Sequence, residues 1–358
     1  MRIAVLMGGT STERDVSLAS GRAVARWLQK AGHQVIEIDA AFGANRQDNI
    51  SPHVRGSIQR RPPKPDELSA YGHRRVFESV HDLITRKIDA VFIALHGVPG
   101  EDGTVQGMLE LAGLPYTGSG VLGSTLAMDK IISKKLFEKD GIQTPAWFSL
   151  TADVGAGHQE IQSRIESTFG FPVVVKPNNQ GSTVGLSIVH QPSDLEAAFR
   201  EVRSYSEEIL LEQYIAGREL TVSLLGKEAL PVIEIHPEHG VYDYECKYTK
   251  GKSTYTVPAE LSEKVLLQIQ KMGVKAFESL KCDGFGRVDI RLDENNEPFC
   301  LEVNTIPGMT ETSLVPKAAM AQGISPPDLV DEILRLALER HNLGSDQGEP
   351  WHSDYSIH

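Results

Sequence analysis

Cysteine is scarce in this 358-residue chain. Cys246, Cys282 and Cys300 are odd in number and show no CxxC spacing, which excludes a disulfide framework or thiolate zinc site and fits a reducing compartment. Basic charge is short as well: 36 Lys and Arg stand against 48 Asp and Glu, a net charge of -12. That argues against nucleic acid or an anionic membrane as main partner, because phosphate surfaces reward basic faces. Long apolar runs are missing. None approaches the roughly 18 residues of a membrane span, and the opening MRIAVLMGGT is too short for a signal segment, so the reading is a cytoplasmic protein with no membrane partner. What remains is an ordinary globular composition, 40% apolar and 23% charged, with length enough for two or three packed lobes.

Residues 3–7 read as a buried strand ended by Gly8-Gly9-Thr10, and a helical pattern follows over about 16–31 with Gly32 at its stop. Strands at 35–38 and 90–95 and a helix near 105–112 continue the rhythm, which indicates a parallel sheet with helices on both faces. Between residues 41 and 75 the signal fades into an irregular, proline-bearing excursion. Turns from Gly118 to Gly123 place the first boundary. A second lobe holds a helix at 129–139, strands at 172–176, 185–189 and 209–213, and a helix to about 202 capped by Ser193 or Asp194. The third holds strands at 219–225 and 230–235, a helix over 262–280, a hairpin of 286–292 with 298–304, and a last helix at 327–340. The expected division is 1–118, 119–214, 215–342 and a polar tail, 343–358. None of the three cysteines reads as more than an ordinary thiol.

Chemistry concentrates at strand ends. Arg287 and Asp289 are two apart, as are Glu302 and Asn304, so each pair projects from one face of its strand. Paired across the Asn295-Asn296 turn, Asp289, Glu302 and Asn304 would form one wall of hard oxygen ligands suited to Mg²⁺, with Arg287 able to hold a developing oxyanion. A solvated hairpin face gives the same pattern. Lys176 closes an apolar strand before Asn178-Asn179-Gln180-Gly181-Ser182-Thr183-Val184-Gly185, a small polar loop able to cover phosphates with N–H groups; it lacks Walker spacing, and a plain connecting loop is the alternative. Glu212-Gln213-Tyr214-Ile215 with Glu219 suits an adenine edge and ribose, or equally a charged edge strand. Gly8 to Arg14 opens a helix whose N–H groups suit a carboxylate, without GxGxxG spacing there. His96-Gly97 ends the third strand on the same crevice.

The order of these blocks along one chain carries more than any of them alone. Gly8-Gly9-Thr10-Ser11-Thr12-Glu13-Arg14-Asp15-Val16-Ser17, Ala94-Leu95-His96-Gly97, Gly100-Glu101-Asp102-Gly103, Met128-Asp129-Lys130, Gly181-Ser182-Thr183-Val184-Gly185, Tyr242-Asp243-Tyr244-Glu245 with Lys247-Tyr248, Gly286-Arg287-Val288-Asp289 and Glu302-Val303-Asn304-Thr305-Ile306-Pro307-Gly308-Met309-Thr310 together resemble the D-alanine–D-alanine ligases of the ATP-grasp superfamily. The resemblance runs from Met1 to about Leu338. It implies a fold of α/β and α+β type, in which an N-terminal Rossmann-like parallel-sheet lobe precedes two β-rich lobes clasping ATP. It implies ATP-dependent joining of two D-alanines through a D-alanyl phosphate, for peptidoglycan synthesis, with two Mg²⁺ or Mn²⁺ and a homodimer formed through the first lobe.

By the same resemblance Glu13 would hold the ammonium of the first D-alanine and His96 would lie near its carboxylate. Lys130 and Lys176 would bind phosphates, Glu212 and Ile215 adenine, and Glu219 ribose. Asp289, Glu302 and Asn304 would hold the metals, Arg287 and the Gly308 N–H the oxyanion, and Ser313 with Leu314 the second carboxylate. Lys247 and Tyr248 would belong to a closing loop at about 236–258, with Tyr248 bonded to Ser182 and Ser182 to Glu13. Relatives that make the D-lactate ester tend to lack this tyrosine, which favours an amine as second nucleophile. Another ATP-grasp ligase would keep the ATP and metal residues and lose Glu13, Ser182 and Tyr248. A non-catalytic module would lose Asp289, Glu302, Asn304 or Arg287.

Overall fold

A run of apolar residues makes a strand buried on both faces, and Arg2–Met7 (β1) is one, with every side chain from Ile3 to Met7 buried. The computed structural model describes residues 1–43, 58, 61, 63, 68, 72–151, 158–238, 240, 242–249 and 251–345. Gln34–Asp39 (β2) and Ala90–Ile93 (β3) flank β1 in parallel, in the order β2-β1-β3. Alternation then sorts the side chains. Ile3, Val5 and Met7 pack under Arg14–Lys30 (α1), whose Val24 and Leu28 face them. Ala4 and Leu6 face the opposite layer of His73–Thr85 (α2) and Thr104–Leu111 (α3), through Val76, Val80, Leu83 and Leu109. Val121–Met128 (α4) leads out of this layer.

The central sheet is antiparallel. After Lys130–Lys139 (α5) come Trp147–Thr151 (β4), His158–Thr168 (α6), Val173–Pro177 (β5), Ser187–Val189 (β6), Leu195–Arg203 (α7) and Glu208–Gln213 (β7), with strand order β4-β7-β5-β6. Val173, Val175 and Leu211 bury one face against Leu195, Phe199 and Val202 of α7. The third sheet, β11-β10-β8-β12-β13, comprises Arg218–Leu225 (β8) with the short Glu228–Ala229 (β9) beside it, Ile233–Pro237 (β10), Ser253–Thr256 (β11), Phe285–Leu292 (β12) and Pro298–Asn304 (β13). Tyr244–Tyr248 (α8) sits between β10 and β11, and Glu263–Ser279 (α9) crosses the back of the sheet. A Cβ on Gly273 of α9 would lie 2.3 Å from Val222, so glycine is what lets helix and sheet meet. Leu314–Ala321 (α10) and Pro326–Ser345 (α11) return to the first sheet, where Val330, Ile333 and Leu334 join the core under α1.

The segment 236–258, polar enough to suggest an open loop, is a strand–helix–strand in its described part, with β11 zipped to β10 from Ser253 to Thr256. Helices α2, α4, α6 and α10 and strands β4 and β11 also add to the elements the apolar pattern indicates. Most of 41–75 and the tail beyond 345 lie outside the described residues. No disulfide joins the cysteines, and no helix among the described residues is long and apolar enough to cross a membrane.

A buried ion pair anchors the first strand ends. Arg14 donates to both Asp39 oxygens at 2.8 and 2.5 Å and to the Gly9 carbonyl at 2.8 Å. A Cβ on Gly8 would lie 2.2 Å from Asp39 Oδ1, and its φ of +76° suits only glycine comfortably. Breaking one partner of such a pair costs about 3–5 kcal/mol. Asp39→Ala is expected to lower the unfolding free energy by about that much in denaturant titration; a loss under about 1 kcal/mol would show the pair to be dispensable.

Candidate active site

The half-buried face of β12 carries Arg287, Asp289 and Arg291, and that of β13 carries Glu302 and Asn304, as alternation requires. The strands place Arg287 opposite Asn304 and Asp289 opposite Glu302, with a bulge just after Asp289. Arg287 grips Asp289 through Nε and Nη2, both at 2.8 Å, and Thr221 donates to the same carboxylate at 2.7 Å. Glu302 lies 3.4 Å from Lys130 Nζ. Burial disfavours its charge, but Lys130, Lys176, Lys247 and Arg287 together hold it down at about 2. Asn304 Oδ1 is buried without a hydrogen-bond partner.

The lysines come from two elements that one amide holds in register. Asn178, just past β5, accepts from the Ile131 N–H at 2.9 Å at the start of α5, and Asp129 caps the helix through Ile132 N–H. Lys130 donates to the Gln180 carbonyl at 2.7 Å. Lys176 lies 2.6 Å from Glu212, and Lys134, fully buried, lies 2.7 Å from the same carboxylate and 2.6 Å from Thr144 Oγ1. Burial opposes Glu212's charge too, yet the two ammonium groups draw its pKa below the ordinary carboxylate value. Arg291 pins the next segment, donating to the Ile215 and Gly217 carbonyls at 3.1 and 2.9 Å and to Glu219 at 3.3 Å.

Between β5 and β6 the loop turns through Ser182 and Thr183 at φ +49° and +63°, the left-handed region that non-glycine residues seldom take. The turn is bonded on two sides. Ser182 Oγ donates to Glu13 and lies 2.8 Å from the Tyr248 hydroxyl, and Thr183 donates to the Tyr242 carbonyl at 3.0 Å. A Cβ on Gly181 would stand 2.7 Å from Glu13, so this glycine admits the carboxylate. Burial pushes the Glu13 pKa up, against the pull of Ser182, Lys247 and Lys130. His96, buried beside it, is pushed down by burial to about 4 and stays neutral. At the head of α10, Ser313 Oγ accepts from the Thr310 N–H at 2.9 Å.

Two adjoining cavities result. The first, about 950 Å³, is lined by Lys130, Lys176, Glu212, Ile215, Glu219 and Asp289. The second, about 710 Å³, is lined by Glu13, His96, Ser182, Tyr248, Arg287 and Asn304, and also by Gly308, Ser313 and Leu314. Tyr242, Lys247 and Glu302 line both. Each side chain singled out in the sequence therefore borders one cavity or the other. Lys134, Glu101, Gln180, Tyr242 and Arg291 also belong to this region and were not singled out. Lys134 stands four residues after Lys130, a spacing that on a helix reads as one solvated charged face, and only the fold brings Glu212 to it. Glu101 sits in a quoted block, and its signal was its glycine neighbours.

A sheet clasping a lysine-lined cavity against a second antiparallel sheet is the architecture of the ATP-grasp carboxylate–amine ligases. The family models described as D-ala D-ala ligase N-terminus and C-terminus match residues 2–119 and 136–335. The chain belongs to the D-alanine–D-alanine ligase family. It is 42% identical to the D-alanine–D-alanine ligase of Desulforamulus reducens, across 95% of this chain and 99% of that one, and 43% identical to that of Moorella thermoacetica, across 95% and 100%. Its structure is similar to the Bacillus anthracis enzyme, solved alone and complexed with ATP, at TM-score 0.74 and 34% identity in both, covering 97% of this chain and 100% and 99% of those.

Glu101 gives the site a measurable signature. It accepts from Gly97 N–H at 2.7 Å, and burial, then the charge of Glu13, push it up to about 8 from an ordinary 4.5. The folded protein therefore holds a proton that the unfolded chain releases, and this contribution to stability is full below pH 4.5 and lost as pH rises through about 8. Glu101→Gln does not titrate. Its stability relative to the native chain is expected to rise between pH 5 and pH 8 by at least about 1 kcal/mol in denaturant melts; parallel pH profiles would show Glu101 ionised at its ordinary value.

Proposed function

We propose that the chain joins two D-alanines into D-alanyl-D-alanine, converting ATP to ADP and phosphate, as a step of peptidoglycan precursor synthesis in the cytoplasm. One observation carries the reading: Ser182 links Glu13 to Tyr248 at the seam between a phosphate-suited cavity and a smaller one suited to amino acids. In this reading Glu212 and Ile215 meet adenine, Glu219 the ribose, and Lys130 and Lys176 the phosphates. Glu13, raised by burial and therefore eager for a cation, takes the ammonium of the first D-alanine, and neutral His96 borders its carboxylate.

A carboxylate is a poor acyl donor. Its oxygen attacks the γ-phosphorus, ADP leaves, and a D-alanyl phosphate remains. The second D-alanine, its carboxylate at Ser313 and the Leu314 N–H, attacks the acyl carbon with its free amine. Arg287 uses Nε and Nη2 on Asp289 and keeps Nη1 for the oxyanion, alongside the Gly308 N–H. The carbon–oxygen bond to phosphate then breaks, and phosphate leaves with the amine's proton. Lys247 and Tyr248 on α8 cover the cavity and keep water from the acyl phosphate.

Asp289, Glu302 and Asn304 fit two Mg²⁺ or Mn²⁺. Glu302 stays ionised, Asn304 Oδ1 awaits a partner, and hard oxygens suit such ions. When bound, the ions supply charge neutralisation at the transferring phosphates. Lobe boundaries near residues 118 and 214 belong to the same reading. So does a homodimer through the first lobe, supported by the exposed Phe77, Ile84 and Leu111 of α2 and α3.

Purified protein with Mg²⁺ and ATP is expected to release phosphate with D-alanine and not with L-alanine, and mass spectrometry should identify D-alanyl-D-alanine. D-Lactate added with D-alanine should yield no ester. Absence of dipeptide while ATP still binds would overturn the reading. Glu302→Gln is expected to raise the Mg²⁺ concentration for half-maximal rate at least about tenfold; an unchanged Mg²⁺ requirement would remove Glu302 from the metal set.

A further inference from the structure

Ser20 takes no part in the chemistry above, yet it is 1% exposed and sits where the first-substrate wall meets the loop that follows β13. It lies three residues after Ser17 on α1, so both hydroxyls leave the helix on one side. Ser17 Oγ accepts from the Gly8 N–H at 2.8 Å and donates to the Ala94 carbonyl at 2.5 Å, tying the ends of β1 and β3 together. Ser20 repeats the device one turn further on. Its Oγ accepts from the Met309 N–H at 3.1 Å and lies 3.3 Å from His96 Nε2.

The Met309 N–H can only donate, so Ser20 Oγ accepts there; toward His96 the hydroxyl donates to a bare Nε2 or accepts from a protonated one, and it has the capacity for both bonds in either tautomer. The ring also bonds the Ile306 backbone, and the Glu101 carboxyl bonds both Gly97 and Ile306. The loop from Ile306 to Met309 is thus gripped near both ends by residues of the first lobe. Gly308 lies between the grips, and a Cβ built on it would stand 4.0 Å from Ser20 Oγ and 3.0 Å from Ser313 Oγ.

We propose that Ser20 is a positioning residue: its hydroxyl, held between His96 and the Met309 N–H, sets the first-substrate wall and the Gly308–Ser313 loop at a fixed separation and so governs D-alanine binding. The inference rests on the proposed ligase reading and adds a determinant to it. Without the hydroxyl, a buried N–H loses its acceptor, and the cheapest relief is a small shift of the loop toward other acceptors. That shift moves Gly308 and Ser313 relative to Glu13 and His96 and leaves the nucleotide cavity alone, since none of Ser20, His96 and Met309 lines it.

The test uses the full chain, with initial rates against D-alanine at saturating MgATP and against MgATP at saturating D-alanine, for the native protein, Ser20→Ala and Ser20→Cys. Cysteine keeps the volume and exchanges the hydroxyl for a weak donor and acceptor. Both variants are expected to raise KM for D-alanine about tenfold or more, with KM for ATP within about twofold, the discrimination a lost buried hydrogen bond gives. An unchanged D-alanine KM, or equal rises for both substrates, overturns the proposal. Native behaviour of Ser20→Cys overturns it also, because volume and not the hydroxyl would then be what matters. If Ser20→Ala melts below assay temperature, Ser20→Cys decides alone. A native chain that forms no dipeptide overturns the ligase reading and this inference with it, a result distinct from any variant pattern.

Discussion

Buried ammonium groups need a carboxylate, and in this protein Glu212 serves two of them. Lys134 and Lys176 lie at 2.7 and 2.6 Å from one carboxyl group with almost no exposure between them. An unpaired charge at that depth would be prohibitively unfavourable, so the positions of α5, β5 and β7 are tied to one another by charge as well as by packing. Lys176 also acts, with Lys130, Lys247 and Arg287, to favour the charged form of Glu302. A cavity built like this suits polyphosphate without requiring the chain as a whole to be basic. The net charge of -12 is compatible with such a cavity because it is a surface average, whereas inside the cavity Lys130, Lys176, Lys247 and Arg291 are gathered against Glu212, Glu219, Asp289 and Glu302.

Hydrogen bonds to distant residues, not ion pairs, hold the strained turn. Ser182 and Thr183 hold left-handed backbone that costs of order 1 kcal/mol each, and the hydrogen bonds to Glu13, Tyr248 and Tyr242 hold them there. Those partners come from two other parts of the chain, Glu13 from the start of α1 and the two tyrosines from the stretch around α8. The turn is therefore formed where α1, the β5–β6 loop and α8 meet, and none of the three alone would keep it. Gly181, with no Cβ to strike Glu13, is the position at which the approach becomes possible.

Much of this was legible in the sequence, for reasons that differ by residue. Strands β1, β5, β7, β12 and β13 show apolar runs or alternation, and the pairing of Asp289 with Glu302 follows from a two-residue period on either side of one turn. The serine, glutamate and tyrosine contact followed from block order and family resemblance; no spacing rule brings residues 13, 182 and 248 together. Lys134 was not legible, because four residues after Lys130 it looks like solvated helix surface until Glu212 arrives from 78 positions away. Strand β11 was hidden by its composition: Ser-Thr-Tyr-Thr carries too little apolar pattern, and its pairing with β10 decides it. Helix α4 was hidden likewise by Gly123, Ser124 and Thr125, and of these Gly123 is the one that lets it approach the turn at Lys281 and Cys282.

Under the proposed mechanism, two cavities sharing Tyr242, Lys247 and Glu302 would answer a difficulty peculiar to acyl phosphates. The proposed D-alanyl phosphate would form against one cavity and be consumed in the other without meeting water. A long path between them would expose it, whereas a shared wall lets the phosphoryl oxygen and the acyl carbon stay near one set of charges throughout. The segment from Tyr242 to Tyr248 that borders that wall is held together by local contacts around α8. Asp243 caps it through the Cys246 N–H, Tyr244 stacks edge-on against Tyr248, and Lys247 lies 5.3 Å over the Tyr242 ring. Each of these contacts lies within a segment of seven residues, so it forms as a local unit. Ser182 and Thr183 bond this segment from the strained turn, which lies between it and Glu13, and Tyr244 adds packing against Val16 and Val184.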